Sequence, residues 1–231
     1  MAVPYARDRS IFRSAYNPAV GSTEATIWPK NTAYVFPSAA GHMTLYSSSI
    51  TDTTQLVLID GLDANYAEIS EVLALNGQTG VDTTLEYLRI NTMTVLTDSP
   101  QGNISLGTGL AVLGVPANTY AYINAGDNVT NAAVYTVPAG YTLRISSGSI
   151  SAGDSTGSHT TTAKFRSRIN GVTYLTAHIS IANNFQFFPY NPTLELPEKT
   201  DVYNNAFTSS GTSSVAATFN GWLVKNNIVR N

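Results

Sequence analysis

From residue 33 onward, apolar and polar positions alternate in short runs. In "LEYLRINTMTVL" (85–96), Leu85, Tyr87, Arg89, Asn91 and Met93 share one parity. Glu86, Leu88, Ile90 and Thr92 share the other. A period of two is the signature of a strand. "AYVFP", "HMTLYSSS" and "QLVLID" precede this run, and "NISLG", "YAYINAG", "AAVYTVPAG" and "YTLRISSGSIS" follow it. Beyond a Gly/Ser-rich tip, "SAGDSTGSHTTT", come "AKFRSRI", "VTYLTAHISI", "FQFFP" and "SSVAATFNGWLV". β-Branched and aromatic residues dominate these segments. Turn chemistry separates them at Asn76-Gly77, Pro138-Ala139-Gly140, Asn170-Gly171 and Asn220-Gly221. Asn170-Gly171, between "FRSRI" and "VTYLT", predicts a two-residue hairpin. Many short strands with such turns predict an all-β, jelly-roll-like β-sandwich of antiparallel strands.

The stretch "GLDANYAEISEVLALNGQTG" (61–80) fits two patterns. As a helix, Asn65 caps it with Glu68 at capping-box spacing, Gly77 stops it, and Tyr66, Ile69, Val72 and Leu73 share a face. As a strand, Ile69, Leu73 and Leu75 share one parity after a turn at Gly61–Asn65. The neighbouring strands favour the hairpin. Glu71 then falls on the apolar parity, which predicts a bulge near Ser70.

Residues 1–32 have no clean period. Arg7, Arg9 and Arg13 stand among Ile11, Phe12, Tyr16 and Trp28, and Pro4, Pro18 and Pro29 forbid a long helix. The expectation is an extended N-terminal arm that docks on a partner, with a strap across its own domain as the alternative. A core over 33–226 follows, with a sub-boundary near 127–132, then a short tail, 227–231. "FQFFPYNP" gathers Phe185, Phe187, Phe188 and Tyr190 into a second candidate contact, either core and strand end or an interface.

Charge is uneven. Residues 1–30 carry four basic and two acidic groups, 31–130 carry Arg89 against nine acids, and 131–231 carry seven basic against four acidic groups. This is either ordinary surface variation or complementarity between copies. No basic cluster is dense enough for nucleic acid. The chain has no Cys, which excludes thiol catalysis and disulfides. No apolar run reaches a membrane span, and the first residues lack the apolar core of a secretory signal. Synthesis and assembly in a cytoplasm are therefore expected.

"SAYNPAVGSTEATIWP", "YVFPSAAGHMTLYSSSITDT" and "LVLIDGLDANYAEISEVLALNGQTGVDTTLEYLRINTMTV" resemble virion structural proteins of tailed bacteriophages, particularly marine and cyanobacterial phages. "AVYTVPAGYTLRI" and "FNGWLV" fit the same pattern. The resemblance is strong over most of 14–145 and loose beyond. Members are usually labelled only as structural or head-fibre proteins. The resemblance implies a virion protein that decorates or cements the capsid or forms a head-fibre base, contacts other virion proteins and forms a homo-oligomer, a trimer by preference. A tail or fibre-adaptor component is one alternative, and a host-glycan receptor-binding module another.

Catalytic chemistry is weakly represented. Asp60, Asp63, Glu68 and Glu71 cluster, but as solvated acids at a turn, without the spacing of a calcium loop. His42, His159 and His178 are scattered. No nucleophile elbow or phosphate loop occurs. The expectation is no enzyme, no metal and no cofactor.

Overall fold

The computed structural model describes residues 9–109, 111–153, 159–182 and 184–226. Regular structure among them is entirely β, and every strand pairing is antiparallel. The chain opens with β1 (Arg9–Val20) and a two-residue strand, β2 (Ala25–Thr26). Then come β3 (Thr44–Ser47), β4 (Leu56–Leu62), β5 (Glu68–Ala74), β6 (Val81–Asp82), β7 (Arg89–Val95), β8 (Ile104–Thr108) and β9 (Asn118–Ile123). The remaining strands are β10 (Val134–Thr136), β11 (Tyr141–Gly153), β12 (Thr161–Ile169), β13 (Val172–Ile181), β14 (Phe185–Leu196), β15 (Asp201–Thr208) and β16 (Ser213–Lys225).

These strands form two sandwiches. In the smaller lobe, the sheet β6-β3-β8-β9 faces β5-β4-β7. Met43, Leu45, Val57, Ile59, Met93, Ile104 and Ile123 fill the space between them. In the larger lobe, β1-β16-β11-β14 faces β10-β15-β12-β13, and β2 extends the β15 edge beside β10. Its interior divides in two. One half holds Ile27, Ile150, Ala163, Ala206 and Val215, and the other holds Tyr135, Ile145, Phe165, Val202, Phe219 and Leu223.

The expectation of one core over 33–226 behind a separate arm is corrected here. Residues 9–20 are a strand of the larger lobe, paired with β16 from Arg9↔Leu223 to Val20↔Ser213. The small lobe is inserted between β1 and β10. Pattern alone hid this because β1 is inside out. Its inward parity is Ile11, Arg13, Ala15 and Asn17, while Phe12 and Tyr16 point to solvent. Two polar groups can sit inward because each has a partner. Arg13 stacks on Tyr135 at 4.8 Å, and the Asn17 amide donates to Thr26 O at 3.2 Å and Asn31 Oδ1 at 2.9 Å.

The 61–80 stretch is a hairpin. β4 and β5 pair in register from Leu62↔Glu68 to Leu56↔Ala74. Asp63 Oδ1 closes the turn by accepting the Asn65 and Ala67 amides at 2.8 and 2.9 Å. The expected bulge near Ser70 is absent, and the register shift lies instead between β4 and β7. Glu71 keeps the inward parity because its carboxylate accepts Thr84 N, Thr84 Oγ1 and Leu85 N at 2.9, 2.8 and 3.2 Å. A half-buried carboxylate that already accepts three bonds needs no bulge to reach solvent.

Asn170-Gly171 forms the expected two-residue hairpin, with φ of 50° and 81° and Ile169 opposite Val172. Asn220-Gly221 is not a turn. It lies inside β16, opposite the register shift in β11, where a Cβ on Gly221 would stand 2.0 Å from Arg144 O. "AYVFP" is not a strand either. Its Tyr34 and Phe36 join Trp28 and Tyr203 in an edge-to-face chain of rings spaced 5.3, 4.8 and 5.6 Å apart.

Polar contacts tie the lobes together. Asn91 on β7 donates to Thr136 O and accepts Thr136 N, at 3.0 and 2.8 Å. Buried Arg89 reaches Asp201 on β15. Ion pairs join distant segments: Arg9 pairs with Glu68, Arg89 with Asp201, and Glu24 with Lys164 and Arg166, although only Arg9–Glu68 links a basic end to the acidic middle.

Candidate interaction surface

Strand register lays the outward residues of β1-β16-β11-β14 in straight rows. Tyr16, Ala216, Ser151 and Phe185 make one row, and Ser14, Thr218, Ser149 and Phe187 the next. Phe12, Asn220, Ser147 and Pro189 form a third; Ser10, Trp222, Arg144 and Glu195 a fourth. Aromatic rings therefore stand on both edge strands with hydroxyls and an amide between them. Three strand spacings put the two rims about 14 Å apart. Phe12 is 61% exposed, Phe185 59% and Phe187 54%.

The floor is ordered by its own bonds. Ser149 Oγ and Thr218 Oγ1 are 2.7 Å apart. Asn220 Oδ1 accepts Ser146 Oγ at 3.0 Å and Ser147 Oγ at 2.6 Å. Short side chains on long paired strands make this face flat and hydroxyl-rich. On the opposite sheet, the edge strand β13 exposes Val172, Tyr174 and Leu175 near the Asn170-Gly171 turn.

The four aromatics of "FQFFPYNP" do not form one patch. Phe185 and Phe187 face outward. Phe188 and Tyr190 turn inward, edge to face at 5.8 Å, with Phe188 over Gly148. Burial pushes the Tyr190 phenol up, and its hydroxyl is a buried group without a hydrogen-bond partner among the described residues.

The arm residues also separate. Arg7 lies outside the described residues. Arg9 pairs with Glu68 at 2.5 Å and lies over Tyr141 at 5.5 Å. Arg13 is drawn inward; burial pulls its guanidinium down, against the opposing pull of Tyr135 and Asp60. Together with Asp60, Ser70 and Thr92, these arginines line a cavity of about 370 Å³ between β1 and the small lobe. Trp28 is 2% exposed, and its indole donates to Thr32 O at 2.8 Å. Only Phe12 and Tyr16 of the described arm candidates offer an exposed ring. Sequence reasoning missed Trp222, which has the same outward parity as Asn220 two residues earlier.

No family model and no curated protein matches the chain. Among solved structures, it is similar to the infectious bursal disease virus VP2 subviral particle at 10% identity and a TM-score of 0.23, over 99% of this chain and 84% of that one. It is also similar to the Gx strain of that virus at 11% identity and a TM-score of 0.25, over 99% of this chain and 75% of that one. Scores this low do not establish a shared fold. No helix among the described residues is long and apolar enough to cross a membrane.

Proposed function

We propose that this protein is a non-enzymatic structural component of a tailed-phage particle, acting in the virion as a capsid decoration, cement or head-fibre base protein. On this proposal the larger lobe is a jelly roll. Its order, β1-β16-β11-β14 facing β10-β15-β12-β13, changes sheet at every connection except β12–β13. Such double Greek keys occur in capsid and lectin domains. Fold leaves function open, so the site must carry the argument.

The observation that carries it is the double rim of exposed rings on one sheet face. Exposed rings gathered on one sheet face mark an interaction site, because aromatics anchor interfaces. The partners on this proposal are a shell protein and further copies of the chain, as a trimer, with no nucleic acid and no membrane. A tail or fibre-adaptor position uses the same face, and locating the protein in a virion reconstruction separates the two.

The test is Phe185→Ser combined with Phe187→Ser. Both side chains point to solvent, so the variant should fold as the parent does. It should lose co-sedimentation with particles lacking the protein and sediment as a smaller species. Full retention of both properties removes this face from assembly. The hydroxyl and amide floor supports a second reading, a host-glycan receptor-binding module, since sugars stack on rings and bond to such groups. Binding on a glycan array that the same variant abolishes would favour it.

A further inference from the structure

A second cleft, of about 460 Å³, opens where the lobes meet, away from the sheet face. Phe36, Pro37, Tyr66, Arg89, Arg168, Asn170, Lys199 and Asp201 line it. Three of these groups are cations and one is an acid. Asp201 is consumed in holding Arg89 and Arg168. Arg168 uses Nε and Nη2 for that contact, and its Nη1 makes no hydrogen bond among the described residues. Lys199 has no ion-pair partner among the described residues; its ammonium stands 5.8 Å from the Tyr66 ring centre. The cleft thus carries two positive charges in excess of its carboxylate, between two aromatic walls.

Backbone geometry points to the same place. Five non-glycine residues among those described have positive φ, and three of them, Tyr66, Asn170 and Lys199, line this cleft. Each lies in a turn: Tyr66 closes the β4–β5 hairpin, Asn170 the β12–β13 hairpin, and Lys199 the β14–β15 connection. Three turns therefore converge on the cleft and bring a ring and an ammonium together there.

We propose that this cleft binds a small organic oxyanion, a carboxylate, sulfate or phosphate on a ring-sized body, with Lys199 and Arg168 Nη1 meeting the oxyanion and the Tyr66 and Phe36 rings meeting the body. Buried Asp201 orders the arginines in advance, so the fork of Arg168 is fixed before a ligand arrives. Arg suits planar oxyanions, and Lys supplies a mobile point charge. The cavity volume lies in the ordinary range for small ligands.

Titration calorimetry on the full chain, with sodium sulfate, glucuronate and glucose as probes, tests this. Glucuronate should bind and glucose should not. Sulfate should bind more weakly than glucuronate, since it has no body for the two rings; sulfate binding as tightly as glucuronate overturns the role given to the rings. Lys199→Gln should weaken binding roughly tenfold, the scale of one charge-assisted hydrogen bond. Lys199→Gly should weaken it equally while raising the melting temperature, because glycine accepts the positive φ. Failure of both anions to bind the parent overturns the proposal. So does equal binding of glucose and glucuronate, or unchanged affinity in a folded Lys199→Gln variant.

Discussion

Arg89 and Asp201 meet at 2.7 Å with both side chains buried, one on the small lobe and the other on the large lobe. They are 112 residues apart in sequence. Asp201 accepts two bonds from Arg89, two from Arg168 and one from Thr136 Oγ1. Both arginines also stack on Phe36, at 5.1 and 4.6 Å. A single carboxylate therefore joins the lobes and bridges two guanidiniums, offsetting the charge of one of them.

Asp201→Ala removes the one acid that faces two partly or fully buried cations. Breaking a buried pair from one side costs about 3–5 kcal/mol. Guanidinium-induced unfolding should show that loss. Because the link spans the lobes, it should also split into two transitions, read by tryptophan fluorescence and far-ultraviolet dichroism. A single transition at the parent midpoint would sink the idea that this contact couples the lobes.

Glu24 gives a pH prediction. Burial pushes its carboxyl up, but hydrogen bonds from Lys164, Asn205 and Arg166 outweigh that and hold it at about 2. The folded value is below the unfolded one. The resulting stabilisation is therefore complete above the unfolded value and is lost as pH falls toward the folded one. Glu24 is only partly buried, so solvent screening leaves about 1 kcal/mol of this as stability. Stability of the parent should fall between about pH 5 and pH 2. Glu24→Gln should start lower and slope less across that window. Equal slopes in parent and variant would contradict it.

Several elements were legible because their signals are local. The Asn170-Gly171 turn needs only positive φ at two neighbours, and the Gly61–Gly80 hairpin is decided within twenty residues. Other elements depended on distant partners. β15, "DVYNNAFT", carries two asparagines that weaken its strand pattern, yet it pairs with β10, β2 and β12. Nothing near β1 in sequence says that Arg13 will find Tyr135, so its inverted alternation reads as an extended docking arm. The sheet face was half legible for the same reason. Aromatics cluster visibly at 185–190, but their sorting into outward Phe187 and inward Phe188 follows from pairing with β11, and the opposite rim comes from β1.

Glu71 tests how a polar residue on an inward parity is accommodated. Its carboxylate caps two backbone amides and a hydroxyl of the turn at Thr84–Leu85. Glu71→Leu suits the parity but leaves those donors unpaired. It should destabilise the protein by about 1 kcal/mol, the net worth of such bonds near the surface. Glu71→Gln, which keeps an acceptor, should recover part of that. A leucine variant as stable as the parent would mean that water serves these donors.

Removal of residues 1–30 distinguishes a docking arm from a structural strand. A free arm could be removed without loss of fold. β1 cannot, because ten residue pairs join it to β16, and Ala15, Asn17, Val20, Ile27 and Trp28 are all buried in the larger lobe. Deletion would bare the β16 edge and uncover Val215, Ala217 and Phe219. An unpaired apolar edge invites aggregation. The truncated chain should therefore be largely insoluble, or bind a hydrophobic dye, with the smaller lobe alone retaining protected amides in hydrogen exchange. Trp28→Ala should act in the same direction more mildly, at about 3–5 kcal/mol for a large buried ring. Its indole also loses the bond to Thr32 O that holds the β2 turn. A soluble, cooperatively folding 31–231 fragment would show that the β1–β16 pairing is dispensable, and would return the segment to the role of an arm.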